Sequence, residues 1–260
     1  MDSIRLDELT ALDVERLLSE GKKKYGIFLP VGCTEQHGPD LPIGCDTAIA
    51  RGAANNAARN FIEHQQYGAI VLPDLAYTPS PGAEATMGTI SVSFDFLGKS
   101  LSEVLTASLK TPWQFVAVFN GHAHNHGRVI EASIAGAQGA LGRRIPIVIV
   151  NIYELSYFGG DFDLCPGSHA GELEIALYNY YAKQCRETSR LGGWTSPRSR
   201  PEKIYGLDIL PRSNYGVLSE KRPDMTKSLA VSHELGRKID EKVLDLITSN
   251  LDTYFSNWIC

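Results

Sequence analysis

Short apolar runs alternate along the chain with longer stretches in which apolar residues recur every three or four positions. Each run is rich in β-branched or aromatic residues and is bounded by Gly, Pro or Asn, as is typical of strands buried on both faces. The runs lie at residues 25–31, 69–72, 115–119 and 147–152. They predict the strands of a central sheet.

The stretches between these runs predict helices. An amphipathic helix carrying Leu9, Leu12, Leu17 and Leu18 precedes the first strand. Further helices are predicted at residues 47–64, 94–109, 126–141 and about 228–251. Strand and helix therefore alternate, which favours an α/β fold with a mostly parallel sheet covered on both faces. The polar segment 186–203, which contains Gly and Pro, interrupts this alternation and predicts a surface excursion.

Composition narrows the class of protein. A chain of 260 residues with 43% hydrophobic content suits one domain over residues 1–260. The net charge of -5 gives no positive field for nucleic acid or an anionic membrane, so a small-molecule or peptide substrate fits better. No leader-like N-terminus or membrane-length apolar run is present, and we expect a cytoplasmic protein. Five cysteines without CxxC spacing predict buried free thiols.

Candidate chemistry begins where the first strand ends. Glu35 and His37 are two residues apart, so in an extended backbone their side chains point to the same side. Asp46 follows a turn rich in Gly and Pro and precedes a helix of small residues. Two carboxylates and an imidazole can bind a divalent cation. The alternative is that these are solvated loop residues and that Asp46 caps the helix.

Two later segments carry similar groups. His122, His124 and His126 follow the third strand at strand-like alternation, and His122 is the best ligand candidate among them. His169 and Glu172 are three residues apart, which predicts one face of a helix near its N-terminus. Exposed residues in the first turn of a helix are the alternative for this last pair.

Taken together, the three segments lie at the sheet edge where parallel α/β enzymes hold their sites. They offer too many ligands for one tetrahedral zinc ion. The set suits two ions that share Asp46 and a bridging hydroxide.

These residues resemble the creatininase (creatinine amidohydrolase) family. Its opening signature is present as Glu35-Gln36-His37-Gly38-Pro39-Asp40-Leu41-Pro42 followed by Asp46. The later motifs are present as Asn120-Gly121-His122 with Asn125 after it, and as His169-Ala170-Gly171-Glu172. The ordered match covers about residues 25–180.

The resemblance implies a three-layer α/β sandwich with two divalent ions (Zn, Mn or Fe) per chain. Glu35, Asp46 and His122 would hold one ion, and His37 and Asp46 the other. The resemblance also implies that His169 is the acid/base group and that the protein is a homo-oligomer, since members of the family are commonly hexamers. The implied reaction is hydrolysis of a C–N bond in a cyclic or linear amide, such as a creatinine-like or formamide-like small molecule.

The positions at which this chain differs from the family pattern are expected to lie around the substrate. Creatininase has a ligating Glu at the place of His124, so His124 is either a ligand or a substrate contact. Because Glu172 projects from a helix start and can be held rigidly, we expect it to be the sixth ligand and His124 to be a catalytic residue facing the substrate. Peptidases that trim a modified peptide also belong to the family. A peptidase, or a non-catalytic metal-binding subunit, is therefore the alternative function.

Overall fold

The computed structural model describes residues 4–38, 40–123, 126–142, 144–155, 161–164, 169–183 and 225–257. At its centre is a four-stranded sheet in the order β2-β1-β3-β4, with every pair of neighbouring strands parallel. The strands are Lys24–Val31 (β1), Tyr67–Val71 (β2), Phe115–Asn120 (β3) and Ile147–Asn151 (β4). The predicted parallel sheet is confirmed, and β1 and β3 are its two central strands.

Helices follow the strands in the predicted alternation. A short 3₁₀ helix, Leu6–Glu8, precedes them. The helices are Ala11–Ser19 (α1), Cys45–Glu63 (α2), Phe94–Ser108 (α3), His126–Leu141 (α4), Ile152–Leu155 (α5), Glu172–Lys183 (α6) and Met225–Asn257 (α7). Helix α1 begins at a capping box, in which Thr10 and Asp13 satisfy each other's backbone N–H groups.

Two apolar cores lie on opposite faces of the sheet. Along β1, Phe28 belongs to the core that also contains residues of α2, α6 and α7, whereas Ile27 and Leu29 belong to the core that also contains residues of α1, α3 and α4. Successive side chains of a strand point to opposite faces, so a strand apolar at every position contributes to both cores. The arrangement is the expected three-layer sandwich.

Glycines bring the start of α2 against the ends of the central strands. A Cβ atom at Gly32, just after β1, would lie 2.4 Å from the backbone of Thr47. A Cβ atom at Gly121, just after β3, would lie 2.5 Å from the carbonyl oxygen of Asp46. Both distances are too short for any side chain, so these glycines let the first turn of α2 pack directly on the carboxyl edge of the sheet.

Some expectations change or lie outside the described residues. Strand β3 ends at Asn120 and α4 begins at His126, so the expected strand-like alternation does not continue to His126. His124 and the 186–203 segment lie outside the described residues, as do the three later cysteines. In the described part of the chain, no helix has the length and apolar character needed to cross a bilayer.

Candidate metal centre

Asp46 lies at the centre of a buried cluster at the carboxyl edge of the sheet. It is in the first turn of α2 and only 1% exposed. The N-cap residue of α2 is Gly44, with no side-chain hydrogen bond at the cap. Asp46 therefore does not cap the helix. Its two oxygens instead face two different sets of side chains.

The first set lies around Oδ2 of Asp46. His122 Nδ1 is 2.7 Å from this oxygen, and Cys33 Sγ is 3.1 Å from it. Glu35 Oε2 lies 3.5 Å from both His122 Nδ1 and Cys33 Sγ. Glu35 and His122 reach this point because β1 and β3 are adjacent, with Val31 opposite Asn120 in the register.

The second set lies around Oδ1 of Asp46. His37 Nε2 is 3.1 Å from this oxygen, and the hydroxyl of Tyr153 donates a hydrogen bond to it at 3.0 Å. Glu174 Oε2 is 3.8 Å from His37 Nε2 and accepts a hydrogen bond from the backbone N–H of Ala170. His37 Nδ1 is 2.9 Å from the carbonyl oxygen of Glu35, a contact that fixes the orientation of the ring.

His169 lies at the edge of the cluster and is half-buried. Its Nε2 is 3.9 Å from Glu35 Oε1, and its ring centroid is 4.5 Å from that of His37. The same Nε2 is 2.6 Å from the carbonyl oxygen of Gln36 and 3.2 Å from the side-chain nitrogen of Gln36. The structure thus brings together Glu35, His37, Asp46, His122 and His169, as the sequence predicts.

Glu172 is the predicted ligand that lies apart from this cluster. Helix α6 begins at Glu172, and Ala170 has a left-handed backbone with φ 54°. His169 is therefore not on the helix, and the expectation that it shares a helical face with Glu172 is wrong. Glu172 Oε2 lies 3.9 Å from Lys227 Nζ, and Glu174 takes the place in the cluster that was expected for Glu172.

The charges of the cluster are strongly coupled. Burial raises the pKa of Glu35, and it raises that of Glu174 to about 7. Burial also acts to raise the pKa of Asp46, but His37 and His122 hold it well below its usual range. For His37, burial acts to lower the pKa, but Asp46, Glu174 and the carbonyl group of Glu35 together outweigh burial and raise the pKa to about 10. His37, with its raised pKa, supplies positive charge beside the buried carboxylates, and a divalent cation can supply the same charge.

The donor atoms fit a metal centre. Three groups of side chains each have ligand atoms within 4.8 Å of one another: Cys33 with Glu35, Asp46 and His122, then His37 with Cys45 and Asp46, and then His37 with His169 and Glu174. Oε1 of Glu35 is buried without a hydrogen-bond partner among the described residues. Carboxylate and imidazole groups are the ligands that Zn, Mn and Fe share, so the set suits divalent ions of this kind.

Sequence reasoning missed three residues of the cluster: Cys33, Tyr153 and Glu174. Tyr153 follows β4, so its position at the carboxyl end of a strand was a usable signal. Glu174 is five residues after His169. Its approach to His169 depends on the left-handed backbone of Ala170, which the sequence does not predict. The prediction of buried free thiols is confirmed for Cys33 and Cys45.

Comparisons with known proteins show which family and which relatives this chain resembles. A family model described as "Creatininase: Creatinine amidohydrolase" matches residues 7–250. The chain is 35% identical to a protein named "Mycofactocin precursor peptide peptidase" from Mycobacterium ulcerans (strain Agy99), over 86% of this chain and 84% of that protein. It is 37% identical over 99 residues to a protein of the same name from Mycolicibacterium smegmatis (strain ATCC 700084 / mc(2)155), a match that spans 38% of this chain and 40% of that protein.

Solved structures show the same fold. The structure "Creatininase Mn" has a TM-score of 0.69 at 20% identity and covers 98% of this chain and 99% of its own. A mutant creatininase described as "Zn-Zn type" also has a TM-score of 0.69, at 19% identity, and covers 94% of this chain and 98% of its own. At these identities the likeness shows the three-layer α/β fold.

Proposed function

Because the chain belongs to the creatininase family of hydrolases, we propose that it is a metal-dependent amidohydrolase that cleaves a C–N bond in a peptide. The observation that carries this proposal is the buried cluster around Asp46. Three carboxylates, of Glu35, Asp46 and Glu174, lie at most 8% exposed beside His37 and His122. Burying so much negative charge is costly unless cations balance it.

The two oxygens of Asp46 divide the ligands between two ions. Glu35 and His122 face Oδ2 and would hold one ion together with Asp46. His37 faces Oδ1, with Glu174 beside it, and these two side chains would hold the other ion together with Asp46. Glu174 thus takes the ligand role that the sequence pattern suggested for Glu172. The metals named for the creatininase structures, manganese and zinc, support Zn or Mn as the ions.

When bound, the ions supply Lewis acidity for the scissile carbonyl and for the attacking water. His169 moves the proton. Burial and the nearby charge of His37 lower the pKa of His169 to about 4, so its ring is neutral at pH 7 and can accept a proton from the attacking water. As the C–N bond breaks and the C–O bond forms, the same ring returns this proton to the leaving nitrogen.

Gln36 supports both states of the His169 ring. Its carbonyl oxygen, 2.6 Å from Nε2, accepts a hydrogen bond when that nitrogen carries a proton. Its side-chain nitrogen, 3.2 Å from Nε2, donates a hydrogen bond when that nitrogen is bare. The ring nitrogen therefore has a hydrogen-bond partner whether or not it carries a proton. This is the requirement for a group that acts first as a base and then as an acid.

The relatives guide the choice of substrate. Both curated relatives described above are named "Mycofactocin precursor peptide peptidase", which supports a peptide over a small molecule. The second candidate is a cyclic or linear small-molecule amide, and the creatinine amidohydrolase description of the matching family model favours it. In both cases the bond cleaved is an amide C–N bond, so the same metal centre and the same role of His169 apply.

A substrate panel tests the proposal. The protein is stripped of metal with a chelator, reloaded with Zn, Mn or Fe(II), and incubated with short peptides, formamides and cyclic amides including creatinine. Mass spectrometry identifies the products. We expect cleavage of at least one peptide by the loaded protein and none by Asp46→Asn, while the exposed variant Asp245→Ala behaves as wild type. Cleavage of small amides alone favours the second candidate. Metal binding without cleavage of any panel member supports a non-catalytic metal-binding subunit.

A further inference from the structure

Cys33 lies at the metal centre with no role in the mechanism above. It follows β1 by two residues and is fully buried. Its carbonyl oxygen accepts a hydrogen bond from Oγ1 of Thr47, which ties this backbone to the first turn of α2. Its Sγ points at the carboxylates, 3.1 Å from Asp46 Oδ2 and 3.5 Å from Glu35 Oε2. The thiol thus belongs to the same group of donor atoms as His122.

The four donor atoms lie within 4.8 Å of one another, close enough to surround one ion. Sγ of Cys33 lies 3.1 and 3.5 Å from the two carboxylate oxygens, and Nδ1 of His122 lies 2.7 and 3.5 Å from the same oxygens. Zinc bonds of about 2.3 Å to sulfur and about 2.0–2.1 Å to nitrogen or oxygen give tetrahedral edges of about 3.3–3.6 Å. Small adjustments of the side chains would therefore place one ion within bonding distance of all four atoms.

We propose that Sγ of Cys33 is a direct ligand of the ion held by Glu35, Asp46 and His122. This inference rests on the proposed metal-dependent function. On binding, the S–H bond is replaced by a sulfur–metal bond and the thiol proton is released to solvent. Thiolate is a softer ligand than carboxylate, so this position selects zinc, cobalt(II) or iron(II) over manganese.

Cys45 provides a matched control. It is also free and buried, and it lies next to Asp46 in the sequence and in the same group of donor atoms as His37. No hydrogen bond from its sulfur to a carboxylate is found among the described residues. Cys33→Ser and Cys45→Ser therefore make the same chemical change on the two sides of Asp46, and only the first is expected to remove a ligand.

Cobalt(II) substitution tests the proposal without any assay of activity. Sulfur bonded to cobalt(II) gives a charge-transfer absorption in the near ultraviolet. We expect this band in the cobalt-loaded wild type and in Cys45→Ser, and its loss in Cys33→Ser. Persistence of the band in Cys33→Ser assigns the sulfur to another cysteine and overturns the proposal. If the wild type binds cobalt but shows no such band, the proposed role of Cys33 is overturned, while the proposed metal centre is still supported. Failure of the wild type to bind any cobalt defeats the metal centre itself, and the proposal with it.

Metal preference gives a second measurement. In competition between zinc and manganese, Cys33→Ser should lower the preference for zinc by about tenfold or more, because a hydroxyl is a harder ligand than a thiolate. An unchanged preference argues that Cys33 only donates a hydrogen bond to the carboxylates. If neither Cys33→Ser nor Cys33→Ala folds, X-ray absorption of zinc-loaded Cys45→Ser, which retains Cys33, shows whether sulfur is bound to the metal. A sulfur neighbour at about 2.3 Å supports the proposal and a shell of nitrogen and oxygen alone refutes it.

Discussion

Two aspartates, the buried Asp46 and the partly buried Asp240, show how similar side chains acquire different roles. Asp240 is on α7 and accepts hydrogen bonds from Asn56 Nδ2 at 2.8 Å, from the hydroxyl of Tyr180 at 2.8 Å and from that of Tyr181 at 3.0 Å. All three donors are neutral. It joins three helices, α2, α6 and α7, on one side of the sheet.

The surroundings of Asp46 contain ionisable groups instead. His37 and His122 contact its two oxygens, and two further carboxylates lie close by. Burial acts to raise the pKa of both aspartates. The net pKa is lowered for Asp46, because the imidazoles stabilise its charge, and raised for Asp240, because neutral donors offset only part of the burial. The ionisable neighbours of Asp46 distinguish this candidate site from the structural contact that Asp240 makes with neutral donors.

The largest expected effect is that of Asp46→Asn. Loss of the shared carboxylate should remove both ions and reduce hydrolysis to background, because each ion loses a ligand and the negative charge that attracts it. Elemental analysis and the substrate panel measure these two effects. Asp240→Asn is the control and should retain its metal. Retention of a full equivalent of metal by Asp46→Asn would contradict the shared-ligand arrangement.

His169→Asn should keep both ions and slow hydrolysis by about 10²- to 10⁴-fold, the range for removal of a general acid or base. The exposed His233→Asn serves as the control, with an unchanged rate expected. Steady-state rates are measured beside metal content for both variants. An unchanged rate in His169→Asn would exclude this ring from the proton transfer.

Glu174→Gln should weaken binding of one ion by about 10- to 100-fold, because it replaces a buried carboxylate near His37 with a neutral amide. Glu172→Gln, two residues away, should bind metal as wild type does, since this side chain lies toward Lys227. Titration of the metal-free proteins with zinc gives both affinities. Weakened zinc binding by Glu172→Gln with unchanged binding by Glu174→Gln would identify Glu172 as the ligand instead.

Asp240→Ala should leave metal content unchanged and lower the free energy of unfolding by about 1–3 kcal/mol, because buried donors lose their acceptor. Asp245→Ala, an exposed substitution on the same helix, should stay within about 0.5 kcal/mol of wild type. Urea denaturation of the metal-free proteins provides both values. A loss of metal in Asp240→Ala would remove the distinction between the two aspartates.

The smallest expected effect is a pH dependence. The pKa of Asp240 is raised in the folded state, so its contribution to stability is fully present below the unfolded pKa and is lost as pH rises through the folded pKa. Asp240→Asn does not titrate. In the metal-free protein, the stability of Asp240→Asn relative to wild type should therefore increase from acidic toward neutral pH. A flat or falling difference would contradict the raised pKa.

The sequence predicts the sheet well because its strands are continuous apolar runs bounded by Gly, Pro or Asn. It also predicts that Glu35, His37, Asp46 and His122 meet, since all four follow or adjoin the ends of central strands. It does not reveal Glu174, because counting three residues from His169 assumes a helix and Ala170 is left-handed. Cys33 is missed for another reason: a buried thiol just after an apolar run is most often part of the core packing, and only its distance to the carboxylates distinguishes it.

The pairing of β1 with β3 has a consequence for the order of events in folding. His122 and Asp46 are separated by 76 residues, and His169 and Gln36 by 133. Closing such long loops is entropically costly, and the ligands meet only after the central strands have paired. The proposed ions would therefore bind after the main barrier and stabilise the protein by slowing its unfolding. Adding zinc during refolding should leave the folding rate nearly constant, while the lifetime of the native state lengthens with metal occupancy.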